Sequence, residues 1–270
     1  MSTRTDGRLP VVLLHGIRLS GTMWRQVAAA VAPHRPVRTP DLPGHGRRRG
    51  EPFTMDAAAD AVAGVIDELG GRALVAGLSL GGYTGIATAA RHPERVAGLV
   101  AMGCTLRPRG LAAACSRSAA GLAARHSRWA DRLSVAGFRR TLPAPLADDV
   151  LAGGLSCEVM PQAVAAVEAL RPPAPLAAYD GPVWFVNGER DPFRADEREF
   201  LHACRDARLT LLPRRGHVAT LIETTQIARL VLDGAASLDQ RAAPPVRPAG
   251  TGLPAAAPRA ATAMPEAGAG

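Results

Sequence analysis

Gly77-Leu78-Ser79-Leu80-Gly81, followed by Gly82, carries the sharpest chemical signal in the sequence. A G-x-S-x-G string that closes a buried strand and opens a helix holds its serine in a tight, strained turn. Glycines two before and two after the serine leave room for that turn. The Ser79 hydroxyl is then presented at the carboxyl edge of a sheet, and the N-terminal amides of the following helix face it, where an anion is stabilised. A serine hydroxyl is a weak nucleophile until a base takes its proton. His217, in Arg214-Arg215-Gly216-His217, follows the last expected strand and precedes the final helix. Asp191, in Asn187-Gly188-Glu189-Arg190-Asp191-Pro192, follows the strand before that. The chain order Ser, Asp, His suits a serine nucleophile, an orienting acid and a base on such a sheet. Glu189 competes with Asp191 for the acid; so does Asp196, which reads better as part of the next helix's first turn. A tetrahedral oxyanion needs two main-chain donors. The Leu80 amide is one, and the Ile17 amide, in the loop His15-Gly16-Ile17-Arg18, is the other. His15 itself reads as structural support rather than a base.

The elements that must position these groups alternate. Apolar runs at 9–14, 36–39, 73–77, 96–102, 182–186 and 208–212 read as strands. Stretches at 22–31, 56–69, 81–91, 194–204 and 218–232 read as helices, with Val62, Val65, Ile66 and Leu69 at helical spacing. Strand then helix, repeated, is the pattern of a parallel sheet covered on both faces. Residues 105–178 break the alternation. Pro143, Pro145, Pro161, Pro172, Pro173 and Pro175 divide them into short helices near 111–125, 127–140, 145–153 and 161–170. The expected organisation is a core over 1–104 and 179–238, and a helical lid over 105–178. An Ala/Pro/Gly-rich tail over 239–270 has too little apolar periodicity to order itself, and its removal is expected to cost nothing.

Composition narrows the partners. The chain has 270 residues, 47% of them hydrophobic but only 4% aromatic, so the core rests on Val, Leu, Ile and Ala. The net charge is +8, and every basic residue is an arginine. No nucleic-acid-binding motif accompanies that charge, and the Arg47-Arg48-Arg49 run has no interleaved aromatics. No apolar run is long enough to span a bilayer, and the first ten residues lack a secretory signal's apolar core. A small-molecule substrate, a cytoplasmic location, and neither a nucleic-acid nor a membrane partner are expected. No exposed apolar stripe indicates an oligomeric state. Cys104, Cys115, Cys157 and Cys204 form no C-x-x-C pair or zinc spacing and read as reduced thiols.

With HG-x after the first strand, Asp41-Leu42-Pro43-Gly44-His45-Gly46, GLSLGG at 77–82, GERD at 188–191 and GH at 216–217 in order, the chain resembles the α/β-hydrolase superfamily. The match covers about 9–103 and 181–235. It implies the α/β-hydrolase fold, a Ser79-Asp191-His217 triad and the Ile17 and Leu80 oxyanion amides. It makes Asp41, Gly44 and His45 a structural turn. The common core of that family begins with two further strands, for which too few residues precede Leu9. A sheet of about six strands, all parallel, is therefore expected.

Relatives that open epoxides or remove halides use an aspartate nucleophile, and Ser79 argues against both. The expected reaction is cofactor-free and metal-free cleavage of a small ester, lactone or thioester through an acyl-enzyme. A C–C bond hydrolase, an acyltransferase, a perhydrolase-type haloperoxidase and a slow, receptor-like binder remain open on the same triad. Arg107, Arg109, Arg117, Arg125, Arg128, Arg132, Arg139 and Arg140 of the lid favour an anionic acyl group or, the better reading, form solvated helix faces. Trp129, Phe138, Leu155 and Met160 are expected in the lid core rather than on the pocket wall.

Overall fold

A computed structural model describes residues 7–242. Six strands form one sheet in the order β2-β1-β3-β4-β5-β6. They are β1 Val11–Leu14, β2 Val37–Arg38, β3 Ala73–Leu78, β4 Val96–Met102, β5 Val183–Gly188 and β6 Ala207–Leu212. Every pairing among the described residues is parallel, as expected.

Strand alternation sends side chains to two cores. On one face Val12, Leu14 and Val75 pack with Val62 and Ile66 of α2 (Met55–Glu68) and Tyr83 and Ile86 of α3 (Leu80–Arg91). On the other face Val11, Leu13 and Leu74 meet Val27 and Val31 of α1 (Arg25–Val31). That core is closed by Ile227, Val231 and Leu238 of the C-terminal helix. Both faces are covered, so β1, β3 and β4 are apolar throughout.

Between β4 and β5 lies an all-helical insertion: α4 Gly110–Arg125, α5 Ser127–Thr141, α6 Ala144–Leu151, α7 Met160–Leu170 and α8 Pro173–Ala177. The short α8 was not expected, because Pro172, Pro173 and Pro175 read as breakers. Proline is tolerated in a first turn, where its missing N–H has no partner to lose.

Two further boundaries move. The helix expected from 194 starts only at Glu197, after a 3₁₀ turn at Pro192–Arg194, and runs to Ala203 as α9. The helix expected over 218–232 is a 3₁₀ turn at Val218–Ile222 followed by α10, Thr224–Ala242. The expected tail boundary at 239 is therefore wrong for 239–242; residues 243–270 lie outside the described ones. Asp239 explains the extension. Its Oδ1 accepts the Leu9 amide at 3.1 Å, and its Oδ2 pairs at 2.8 Å with Arg35, whose side chain is only 7% exposed. Asp239→Ala leaves that guanidinium short of a partner and should cost about 1–3 kcal/mol. A urea titration matching the parent would overturn this role, and truncation after Leu238 is now expected to destabilise.

Candidate active site

Ser79 joins β3 to α3 with φ 55° and ψ −116°, a conformation that non-glycine residues rarely adopt. Such strain persists where the surroundings over-determine it. The Ser79 amide donates to Met102 O at 2.8 Å, at the end of β4. A Cβ on Gly77 would lie 2.3 Å from the Gly81 carbonyl, and one on Gly81 would lie 2.2 Å from Leu14 O. Only glycine at both positions lets strand, turn and helix close on one another.

Asp191 follows β5 and His217 follows β6. His217 Nδ1 lies 2.8 Å from Asp191 Oδ2. A carboxylate only accepts, so Nδ1 donates, and in the neutral imidazole the lone pair then sits on Nε2. The other carboxylate oxygen accepts the Phe193 amide at 2.8 Å. The Phe193 ring stacks on the imidazole, with centroids 4.3 Å apart and planes 24° apart. Gly103, at φ 55°, presses on the pair from the other side. A Cβ there would stand 3.0 Å from both Asp191 Oδ2 and His217 Nδ1. The end of β4 thus touches the Ser79 turn through Met102 and the Asp191–His217 pair through Gly103. No hydrogen bond joins Ser79 Oγ to His217 among the described contacts. Such bonds are often long without substrate and tighten when it binds.

The competitors for the acid position are occupied elsewhere. Glu189 Oε2 accepts the Arg214 amide at 2.8 Å. Asp196 accepts the Arg107 amide and the Arg109 guanidinium, both at 2.7 Å, and stands at the residue before α9.

Ile17, Ser79, Leu80, Tyr83, Met160 and Phe193 line one cavity of about 290 Å³. Leu106, Pro108, Ser116, Ala119 and Ala120 at and before α4 and Ala163, Val164 and Val167 of α7 complete its wall. The Ile17 and Leu80 amides donate to no other described main-chain group. Met160 is thus on the pocket wall, contrary to expectation, while Phe138 and Leu155 are buried as expected and Trp129 is exposed. No arginine lines this cavity. Arg107 pairs with Glu199, Arg109 with Asp196, Arg117 with Glu168 and Arg139 with Asp148. A larger hollow of about 670 Å³ lies at the opposite edge of the sheet, against Val96, Tyr179 and Pro182. It is remote from Ser79, and ligands of such sheets bind at the carboxyl ends of the strands.

A family model described as "Alpha/beta hydrolase family" matches residues 11–230. The chain belongs to that family. Three solved structures show how widely this hydrolase's fold is used. A thermophilic esterase from Thermogutta terrifontis is 24% identical, with a TM-score of 0.69 over 86% of this chain and 90% of its own. An enol-lactonase from Burkholderia xenovorans LB400 is 24% identical, with a TM-score of 0.71 over 85% and 92%. The haloalkane dehalogenase DbeA from Bradyrhizobium elkani USDA94 is 22% identical, with a TM-score of 0.69 over 87% and 92%. Three reactions on one fold leave the choice of chemistry to the site itself.

In this hydrolase the turn at 41–46 is scaffold. Asp41 accepts the Gly21 amide at 2.8 Å and the Arg47 amide at 3.0 Å. Burial pushes its carboxyl up, but these amides and the Arg47 guanidinium hold it below its ordinary value. Gly44 leaves no room for a Cβ, which would lie 2.5 Å from Val159. His45 is buried, its ring centroid 4.9 Å from that of His15. His15 Nδ1 donates to Gly16 O, and Nε2 accepts the Leu42 amide at 2.9 Å. With Nε2 already accepting, His15 has no free lone pair for a proton. Burial, then the neighbouring His45, lowers its pKa to about 3.

That burial has a consequence for stability. The unfolded chain's His15 takes its proton near pH 6.5, whereas the folded protein's does so only near pH 3. Where the unfolded state binds more protons, stability falls as pH falls. The loss starts below pH 6.5 and should reach about 2 kcal/mol at pH 5. Urea midpoints at pH 7 and pH 5 measure it, and His15→Gln should flatten the slope. An equal slope in that variant would refute the assignment.

The sequence signals missed Phe193 and Gly103. Gly103 directly follows β4, where a glycine next to the nucleophile strand's neighbour is a readable hint. Phe193 carries no such mark.

Proposed function

We propose that the chain is a cofactor-free serine hydrolase that cleaves a small, neutral carboxylic ester, lactone or thioester. The observation that carries this reading is the strained Ser79 on the wall of an apolar cavity, with the His217–Asp191 pair beside the same sheet edge.

Ser79 Oγ attacks the substrate carbonyl as His217 Nε2 takes its proton. Asp191 holds the imidazole in the tautomer that leaves Nε2 free and stabilises the imidazolium that forms. The Ile17 and Leu80 amides, free of other main-chain acceptors, receive the oxyanion. Loss of one such donor typically costs about 3 kcal/mol of transition-state stabilisation. His217 then gives its proton to the leaving oxygen or sulfur. It next takes a proton from water as that water attacks the acyl-enzyme, and returns the proton to Ser79 Oγ as the acyl–oxygen bond breaks and the acid leaves.

The cavity supports the choice of acyl group. At about 290 Å³ it sits at the lower end of ligand-site volumes. Its wall is mostly Ala, Val, Leu, Ile, Met and Phe and carries no basic side chain, so a carboxylate finds no charged partner there. Compact neutral acyl chains are favoured over anionic ones.

Labelling with a fluorophosphonate, read by intact mass and peptide mapping, tests the reading without a substrate guess. One adduct on Ser79, absent after boiling and absent in His217→Ala, is expected. No adduct on the native protein would overturn an activated serine and turn attention to ligand binding.

A further inference from the structure

We propose that the outer face of the α4–α5 hairpin seats this protein on an anionic lipid surface. Four of the five large apolar side chains exposed among the described residues lie on these two helices: Leu111 at 79%, Leu122 at 57%, Trp129 at 61% and Leu133 at 51%. Trp129 and Leu133 are one helical turn apart and share a face of α5. Arg128, Arg132 and Arg140 flank them, all exposed.

Charge identifies the occupant. Residues 110–141 hold six arginines against one acid, Asp131. Asp131 is half-buried, with its Oδ1 wholly covered, and this single carboxylate leaves five of the six arginine charges unbalanced within the segment. Arg117 and Arg139 are paired with acids of other helices. Arg128, Arg132 and Arg140 make no ion pair among the described residues. A helix with Trp and Leu on one stripe and arginine beside it lies in the plane of a lipid interface. A second copy meeting this face across a two-fold axis would set arginines against arginines. A nucleic acid would satisfy the arginines and leave Leu122 and Leu133 in water. Anionic headgroups above acyl chains satisfy both. The expectation of no membrane partner rested on the lack of a spanning run, which an interfacial helix does not need.

The position has a functional sense that does not depend on the hydrolase reading. α4 carries Leu111 and Leu122 outward and lends Ser116, Ala119 and Ala120 to the cavity wall. A lipid surface against this hairpin therefore adjoins the cavity, and apolar molecules dissolved in the lipid reach it by a short path.

The test is co-sedimentation of the full chain with vesicles of phosphatidylglycerol and phosphatidylcholine, against vesicles of phosphatidylcholine alone. Tryptophan emission is read in parallel. Trp24 is buried and Trp184 half-buried, so Trp129 dominates any change on binding. Binding to the anionic vesicles with a blue shift is expected, much weakened by added salt and absent on the neutral vesicles. Arg128→Gln/Arg132→Gln/Arg140→Gln should weaken partition about a hundredfold, or roughly fivefold per arginine. Trp129→Ala/Leu133→Ala should remove the shift. All these residues are exposed, so melting temperatures should not move. Hydrolysis of a soluble ester should also be unchanged, which separates failure of this proposal from failure of the catalytic one. No binding to anionic vesicles overturns the proposal. So does binding that both variants leave intact. So does a concentration-dependent dimer, abolished by Trp129→Ala/Leu133→Ala, in a protein that ignores vesicles.

Discussion

Ser79→Ala is expected to lower kcat/KM for a neutral short-chain ester by about 10⁴-fold or more, with an unchanged melting temperature. The size follows from what Ser79 does. It forms the covalent bond, and the other two hydroxyls on the cavity wall have no base among the described residues: Tyr83 donates to Leu106 O at 2.6 Å and is buried, and Ser116 bonds to no histidine or carboxylate. His217→Ala should fall to a similar floor, because an unactivated hydroxyl is nearly as inert as none. The double variant should be no worse than either single one, since residues acting as a unit are grossly non-additive. Asp191→Asn should also be strongly impaired, because an amide can hold the imidazole in the wrong tautomer. The residual rate in each would come from the Ile17 and Leu80 amides and from binding alone. Near-parental turnover in Ser79→Ala would place the reaction elsewhere. Multiplying effects in the double variant would separate His217 from the serine.

What could be read from the sequence divides by physical range. The convergence of Ser79, Asp191 and His217 on one sheet edge was legible because each lies in the loop after a strand whose apolar run is unmistakable, and strand order fixes which loops share an edge. The six-stranded parallel sheet was legible for the same reason. Helix ends were not, where a long-range contact decides them. Nothing near Asp239 announces that it will bind Arg35 and the Leu9 amide, over two hundred residues earlier in the chain. The insertion was legible as helices and illegible as faces. α5 is amphipathic, yet periodicity alone cannot say whether Phe138 or Trp129 turns inward; packing buries Phe138 and exposes Trp129. Met160 reached the pocket wall rather than the insertion's core through the packing of α7. Phe193 belongs to the same class, since its stacking on His217 joins two loops.

The largest expected effect on the fold comes from one methyl group. Gly81→Ala should destabilise by about 4 kcal/mol or more, or yield no soluble protein. Its Cβ would lie 2.2 Å from Leu14 O, 2.6 Å from Leu14 C and 2.8 Å from His15 O. All three are main-chain atoms of β1 and its following loop, and none can swing aside as a side-chain tip would. Relief requires α3 to withdraw from the sheet, which opens the core around Ile86 and strains the bond from the Ser79 amide to Met102 O. It also displaces His15 and with it the loop that holds the Ile17 amide. Gly64→Ala is the internal control. Gly64 lies on the exposed side of α2, and nothing stands within 4 Å of its added Cβ. There alanine's helix preference acts unopposed, and a gain of about 0.5–1 kcal/mol is expected. Chemical denaturation of the two variants against the parent reads both signs at once. A Gly81→Ala protein as stable as its parent would mean that α3 does not approach β1 this closely, and the strained geometry assigned to Ser79 would fall with it.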